Sequence, residues 1–150
     1  MYSVILRGSK QARREPHTKG LPSTAPREFR TVGKAFERYF AGDAHALDGI
    51  KVDLGDVRSE FQRTVLTTLR ELIGPGMTTS YGELAAAAGR PRAARAVGAT
   101  MANNPVPIIV PCHRVLASDG TLGGYGGGLD MKRHLLRLEG ASMRPERKRR

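Results

Sequence analysis

The stretch SYGELAAAAGRPRAARAVGATMA, residues 80–102, holds two short helical patterns around one glycine. Ser80 is followed by Glu83 at capping-box spacing, in which each side chain satisfies a backbone N–H at the helix start. The run from Tyr81 to Ala88 then meets Gly89, a stop signal. Pro91 sits where a first helical residue is expected, and the second helix runs to about Ala102. Two short helices across a tight glycine-containing turn make a helix-turn-helix pattern. Many helix pairs look alike, so the pattern alone is weak. The second helix says more. Ala93, Val97 and Met101 share a face that should pack inward, while Arg92, Arg95 and Ala99 share another, beside Gly98. With no bulky neighbours around the arginine, that face can approach a nucleic-acid groove closely. The ordinary alternative is a solvated arginine on a surface helix.

Upstream, Ser59 and Gln62 form a second capping-box signature, and Phe61, Val65, Leu69 and Leu72 follow at helical spacing until Gly74, Pro75 and Gly76. A further helix starts at Phe29, with Phe29, Val32, Phe36, Tyr39 and Phe40 on one face and Gly42 as its stop. Between these helices, IKVDL (50–54) reads as a short extended segment. Residues 1–28 mix charge with Pro16, Gly20, Pro22 and Pro26 and look irregular. Downstream comes NNPVPIIVPCHRVL (103–116). Its prolines and asparagines bend the backbone, and its IIV run is β-prone. A turn at ASDG, a glycine-rich loop around Tyr125 and a last helix ending at Gly140 complete the pattern. The loop lacks the strand-to-helix placement of a phosphate-binding fingerprint. The expected organisation is an irregular basic segment (1–28), a helix and connection (29–57), a main domain (58–140) and a basic tail (141–150).

The chain has 150 residues, enough for one domain, with 39% hydrophobic residues to build a core. No apolar run reaches the length of a membrane span, and MYSVILRGSK is too short in its apolar part for a signal peptide. The net charge of +11 favours a polyanionic partner, nucleic acid above all. The single cysteine excludes an internal disulfide and a multi-cysteine metal site. It suits a reducing compartment.

That cysteine, Cys112, needs a base or a positive field to act as a nucleophile. His113 is adjacent, but neighbours on an extended strand point to opposite faces, so direct contact is disfavoured. A water bridge would serve if the backbone bends, with a carboxylate from elsewhere to orient the imidazole. A buried, inert thiol is the alternative.

Taken together, PCHRV with an upstream NP and a downstream GYxGGL pattern, SYGELA and FQRTV resemble the O6-alkylguanine-DNA alkyltransferase family (methylated-DNA–protein-cysteine methyltransferases). AFERYFAG matches more loosely, and the likeness covers about residues 30–140. It implies an α+β, mostly helical fold with a helix-turn-helix, winged-helix-like C-terminal domain and a truncated N-terminal region. It implies direct-reversal DNA repair: one transfer, without turnover or cofactor, of an alkyl group from O6-alkylguanine, and by extension O4-alkylthymine, to Cys112. His113 would be the base acting through water, Glu139 its orienting carboxylate, Asn104 a brace for the active-site turn and Tyr81 a donor to the departing guanine. The carbonyls of Cys112 and Val115 would read the base, with Tyr125 and Gly126 in the loop covering it; many members carry a serine at the position of Gly126. Arg95 would fill the space of the extruded base, and Arg92, Ala94, Ala96, Gly98 and Ala99 would line the helix face in the minor groove.

The implied partner is double-stranded DNA carrying the lesion, met by a cytoplasmic monomer (nucleoid-associated if bacterial) with no membrane or metal site. A non-catalytic lesion sensor, a helix-turn-helix regulator with an incidental thiol and a cysteine hydrolase are the rival readings. Cys112 speaks against the sensor. The regulator leaves Tyr81, Asn104 and Glu139 unexplained together. The hydrolase needs a distant base and an oxyanion hole, and His17, His45 and His134 lack a supporting pattern.

Overall fold

The computed structural model describes residues 26–143; most of the segment read as irregular and the RPERKRR tail, with His17, lie outside the described residues. In chain order the elements are α1 (Arg27–Phe40), α2 (Glu60–Leu72), β1 (Thr79–Ser80), α3 (Tyr81–Ala87), α4 (Ala94–Ala102), a 3₁₀ turn (Cys112–Arg114), β2 (Val115–Leu116) and α5 (Leu129–Leu138). The fold is α+β and mostly helical. Val65, Leu66 and Leu69 of α2, Leu84 and Ala85 of α3, Val97 of α4 and Leu135 of α5 meet in one core with Val110 and Val115. Each such aliphatic side chain contributes about 1.5–3 kcal/mol when fully buried.

α1 starts at Arg27, directly after Pro26, and not at Phe29. It buries Ala35 and Tyr39 and leaves Phe29 and Phe40 exposed, so the expected apolar face is only partly inward. Ser59 accepts from the Gln62 N–H at 3.4 Å, half of the expected capping box, whereas the Ser80–Glu83 box is complete. Residues 50–54 form no strand. Instead Arg70 of α2 donates to the carbonyls of Ile50 and Ile109, tying that connection and the segment before Cys112 to one helix.

α3 and α4 pack as the helix-turn-helix pair, with the Arg90 N–H closing on the Ala85 carbonyl at 2.8 Å. The Arg90 guanidinium lies over the Phe61 ring. α4 begins at Ala94. Pro91 belongs to the turn, because the Ala93 N–H is spent on the Arg90 carbonyl and the helical ladder opens only with Val97 to Ala93.

Two features that position the site have no local signature. β1 and β2 pair in parallel, Thr79 with Val115 and Ser80 with Leu116. This sets Tyr81, at the start of α3, beside the residues that follow Cys112. The β-prone IIV run makes no strand, only an isolated bridge between Pro107 and Val110. Ile108 adopts φ 74°, strained for a β-branched residue and costing about 1–3 kcal/mol.

Candidate active site

Cys112 opens the 3₁₀ turn that replaces the expected extended strand. The bend is held on its upstream side by Asn104. Its amide donates to the Val110 carbonyl at 2.8 Å, and its carbonyl oxygen accepts from the Val106 N–H at 3.0 Å. With Arg70 gripping Ile109, these bonds offset the strain at Ile108. The thiol is buried, 7% exposed. Burial pushes its pKa up, against hydrogen bonding from Asn104 and the positive field of Lys132. A protonated thiol at rest needs a base to become a nucleophile.

His113, fully buried, is the next residue of the turn. Its Nε2 lies 2.9 Å from Glu139 Oε1. Burial pushes the His113 pKa down, although Glu139 pulls it up. For Glu139, burial favours the neutral acid, but hydrogen bonds from His113, Arg114 and Tyr39 outweigh it and bring the carboxyl down to about 2. An ionised carboxylate only accepts, so Nε2 of the neutral imidazole carries the hydrogen and Nδ1 keeps its lone pair. Nδ1 is the one buried side-chain polar atom among the described residues without a hydrogen-bond partner. A base with its lone pair open stands next in the chain to a protonated thiol.

Glu139 reaches this place because α5 ends there. The Gly140 N–H bonds the Arg137 carbonyl and the Ala141 N–H bonds that of Leu136, a Schellman closure with Gly140 at φ 72°. A carboxylate at a helix C-terminus opposes the dipole. The cost is offset by Arg114, which grips both oxygens of Glu139 at 2.9 Å and the Ile73 carbonyl at 2.5 Å, and by Tyr39.

Tyr81 is half-buried, and burial pushes its phenol pKa up, so it stays a donor. Its ring packs against Gly98 of α4 on one side and Gly123 on the other. A Cβ at Gly123, where φ is 63°, would sit 3.4 Å from the Tyr81 hydroxyl. Tyr125 is half-buried too, and Cys112 acts on the pKa of both phenols. Gly126 is exposed with open space where a side chain would be. Val115 is buried, and its carbonyl accepts from Lys132 Nζ at 2.6 Å.

On α4, Arg95, Ala96 and Ala99 are exposed, with Arg92 exposed just before the helix. Ala94 and Gly98 are half-buried. Cys112, His113, Glu139 and Asn104 thus converge, Tyr81 and Tyr125 border them, and α4 meets Tyr81 at Gly98 while its Arg95, Ala96 and Ala99 face solvent. His45 pairs with Asp48, and His134 is exposed. Three residues escaped the sequence reading: Arg114, Tyr39 and Lys132. Lys132 is fully buried, donates to the carbonyls of Val115, Leu122 and Gly124, and is brought by burial down to about 8. A lysine in the apolar row of α5 was the only hint. Among the described residues no cluster of His, Cys, Asp and Glu could hold a metal ion, and no helix is long and apolar enough to cross a membrane.

Residues 60–141 match the model of the 6-O-methylguanine DNA methyltransferase DNA-binding domain. The methylated-DNA–protein-cysteine methyltransferase of Methanosarcina acetivorans is 47% identical over 113 residues, 75% of this chain and 70% of that protein. The Mycolicibacterium paratuberculosis protein of the same name is 50% identical over 114 residues, 76% of this chain and 67% of its own length. For that of Haemophilus influenzae the match spans 60% of the relative. Among solved structures, Mycobacterium tuberculosis OGT in complex with DNA superposes with a TM-score of 0.66 at 44% identity, over 75% of this chain and 67% of that one. The O6-methylguanine-DNA methyltransferase of Pyrococcus kodakaraensis gives 0.63 at 32% identity, over 78% and 66%.

Proposed function

Because the chain belongs to the 6-O-methylguanine DNA methyltransferase family, we propose that it repairs DNA directly, moving the alkyl group of O6-alkylguanine onto Cys112. The observation that carries this reading is the buried, protonated thiol next to an imidazole whose Nε2 is held by Glu139 and whose Nδ1 has no partner among the described residues.

His113 Nδ1 takes the thiol proton through a water, since the histidine lies beside Cys112 in a tight turn. The sulfur attacks the alkyl carbon, the S–C bond forms and the C–O6 bond breaks. Guanine leaves as an anion that a hydrogen bond from Tyr81 stabilises, and the proton taken up by His113 is then returned to it, leaving neutral guanine and a neutral imidazole. The thioether has no easy route back, so each chain acts once. Asn104 holds the turn that aims the sulfur. Tyr125 and Gly126 border the base, and the carbonyls of Val115 and Cys112 read its amino group.

A guanine in the stack hides its reacting carbon, so the base must be extruded. The exposed Arg95 fills its space, and the small residues Ala96 and Ala99, with Ala94 and Gly98, let α4 enter a narrow groove while Arg92 meets the backbone. We read the protein as a monomer of the reducing cytoplasm, where its single thiol stays usable.

The test is incubation with duplex DNA containing O6-methylguanine and no added cofactor, followed by peptide mass analysis. One methyl group on the Cys112 peptide is expected. Tight lesion binding with an unmodified Cys112 would instead favour a lesion sensor.

A further inference from the structure

The carboxylate facing His113 is held by a residue outside the stretch that the family model matches. Tyr39 lies in the last turn of α1, 1% exposed. Its hydroxyl donates to Glu139 Oε1 at 2.5 Å, across 100 residues of chain. The same oxygen accepts from His113 Nε2 and from Arg114 Nη2, both at 2.9 Å. Tyr39 packs its ring in the core with Ala35 and Leu47. A phenylalanine would fill that space equally well, so the hydroxyl is the part that packing does not require.

Each donor on a carboxylate spreads its negative charge and weakens its hold on a neighbouring proton. We propose that Tyr39 is a positioning residue for the chemistry at Cys112: its hydroxyl fixes Glu139 and limits the charge that Glu139 presents to His113, keeping the imidazole neutral and Nδ1 able to accept a proton. This inference rests on the reading of Cys112 as the alkyl acceptor.

The groups around the relay set the direction of the effect. Arg114 from the 3₁₀ turn and Lys132 from α5 are cations that disfavour a charged His113. Tyr39 from α1 and Tyr125 from the glycine-rich loop have phenol pKa values pushed well above the ordinary range, first by burial, and are neutral. The Cys112 thiol is protonated. Glu139 is the group that pulls His113 toward imidazolium. Taking a donor from Glu139 strengthens that pull.

Tyr39→Phe in the full chain keeps the ring and removes the hydroxyl. The midpoint of His113 titration, followed by NMR of its ring nitrogens, should move up by about half a pH unit or more. The acid limb of the methyl-transfer rate should move up by the same amount, so that the rate on that limb falls about threefold while the rate above neutrality and the DNA affinity hold. An unmoved His113 titration overturns the proposal, even where the rate falls through looser packing. Should Tyr39→Phe not fold, the unmodified protein decides. A slowly exchanging Tyr39 hydroxyl proton with a cross-peak to the His113 Nε2 proton supports the tether, and its absence overturns it. If the unmodified protein transfers no methyl group, the alkyl-transfer reading fails, and the His113 titration still decides the tether.

Discussion

Around Glu139, side chains from α1 and the 3₁₀ turn converge on one carboxylate whose side chain is fully buried. On α4, Arg95, Ala96 and Ala99 stand in solvent. The two regions follow opposite rules. In the buried cluster every charge depends on its partners, because an unpaired ion in a low dielectric is expensive. On the helix face what counts is the absence of bulk, which folding hardly registers. Stability and activity should therefore fail together in the first region and separately in the second.

The sharpest way to break the contrast is Glu139→Gln. It leaves the Arg114 guanidinium buried without its countercharge and His113 without its orienting carboxylate. A loss of about 3–5 kcal/mol in denaturant unfolding is expected. Transfer should fall by about 100-fold or more. The pH dependence carries the same signature. Glu139 is held at about 2, below the ordinary 4.5. Its stabilisation, about 3 kcal/mol, is fully present above the unfolded-state pKa and is lost as pH falls from there toward about 2. Acid unfolding of the Gln variant should lack that slope.

Lys132→Met tests the second buried charge. It strands the carbonyls of Val115, Leu122 and Gly124, at a cost of about 1–3 kcal/mol. Lys132 is lowered to about 8 from 10.5, so the unfolded chain binds more protons between those values, and wild-type stability should rise with pH across that window. Calorimetry of the Met variant should show that rise removed.

Arg95→Ala should leave stability within about half a kcal/mol of wild type, as exposed positions do. It should slow methyl transfer in duplex DNA by about tenfold and in single strands much less, since only the duplex demands extrusion. Equal loss on both substrates would remove the role given to Arg95.

Local chemistry made much of this legible. The Ser80–Glu83 box, the helix stop at Gly140 and the need for a carboxylate beside His113 are short-range or chemical statements, and Glu139 lies 2.9 Å from that histidine. What stayed hidden depends on distant partners. The IIV run has strand propensity, yet Asn104 and Arg70 bend the backbone around Ile108 and the cysteine enters a 3₁₀ turn. The β1–β2 pairing has too few residues to show a period. Arg114 and Lys132 carry no signal of their burial, because nothing nearby in sequence announces the carboxylate and carbonyls that allow it. Tyr39 looked like one more apolar position on α1.

The proposed repair requires one buried thiol to accept one alkyl group. Quantitative transfer from excess duplex carrying radiolabelled O6-methylguanine, without cofactor, decides this. Label should rise to one methyl per protein molecule, all of it on Cys112, and then stop, with none on Cys112→Ala while that variant still binds DNA. Label on another residue, continued turnover, or undiminished transfer by Cys112→Ala would contradict it.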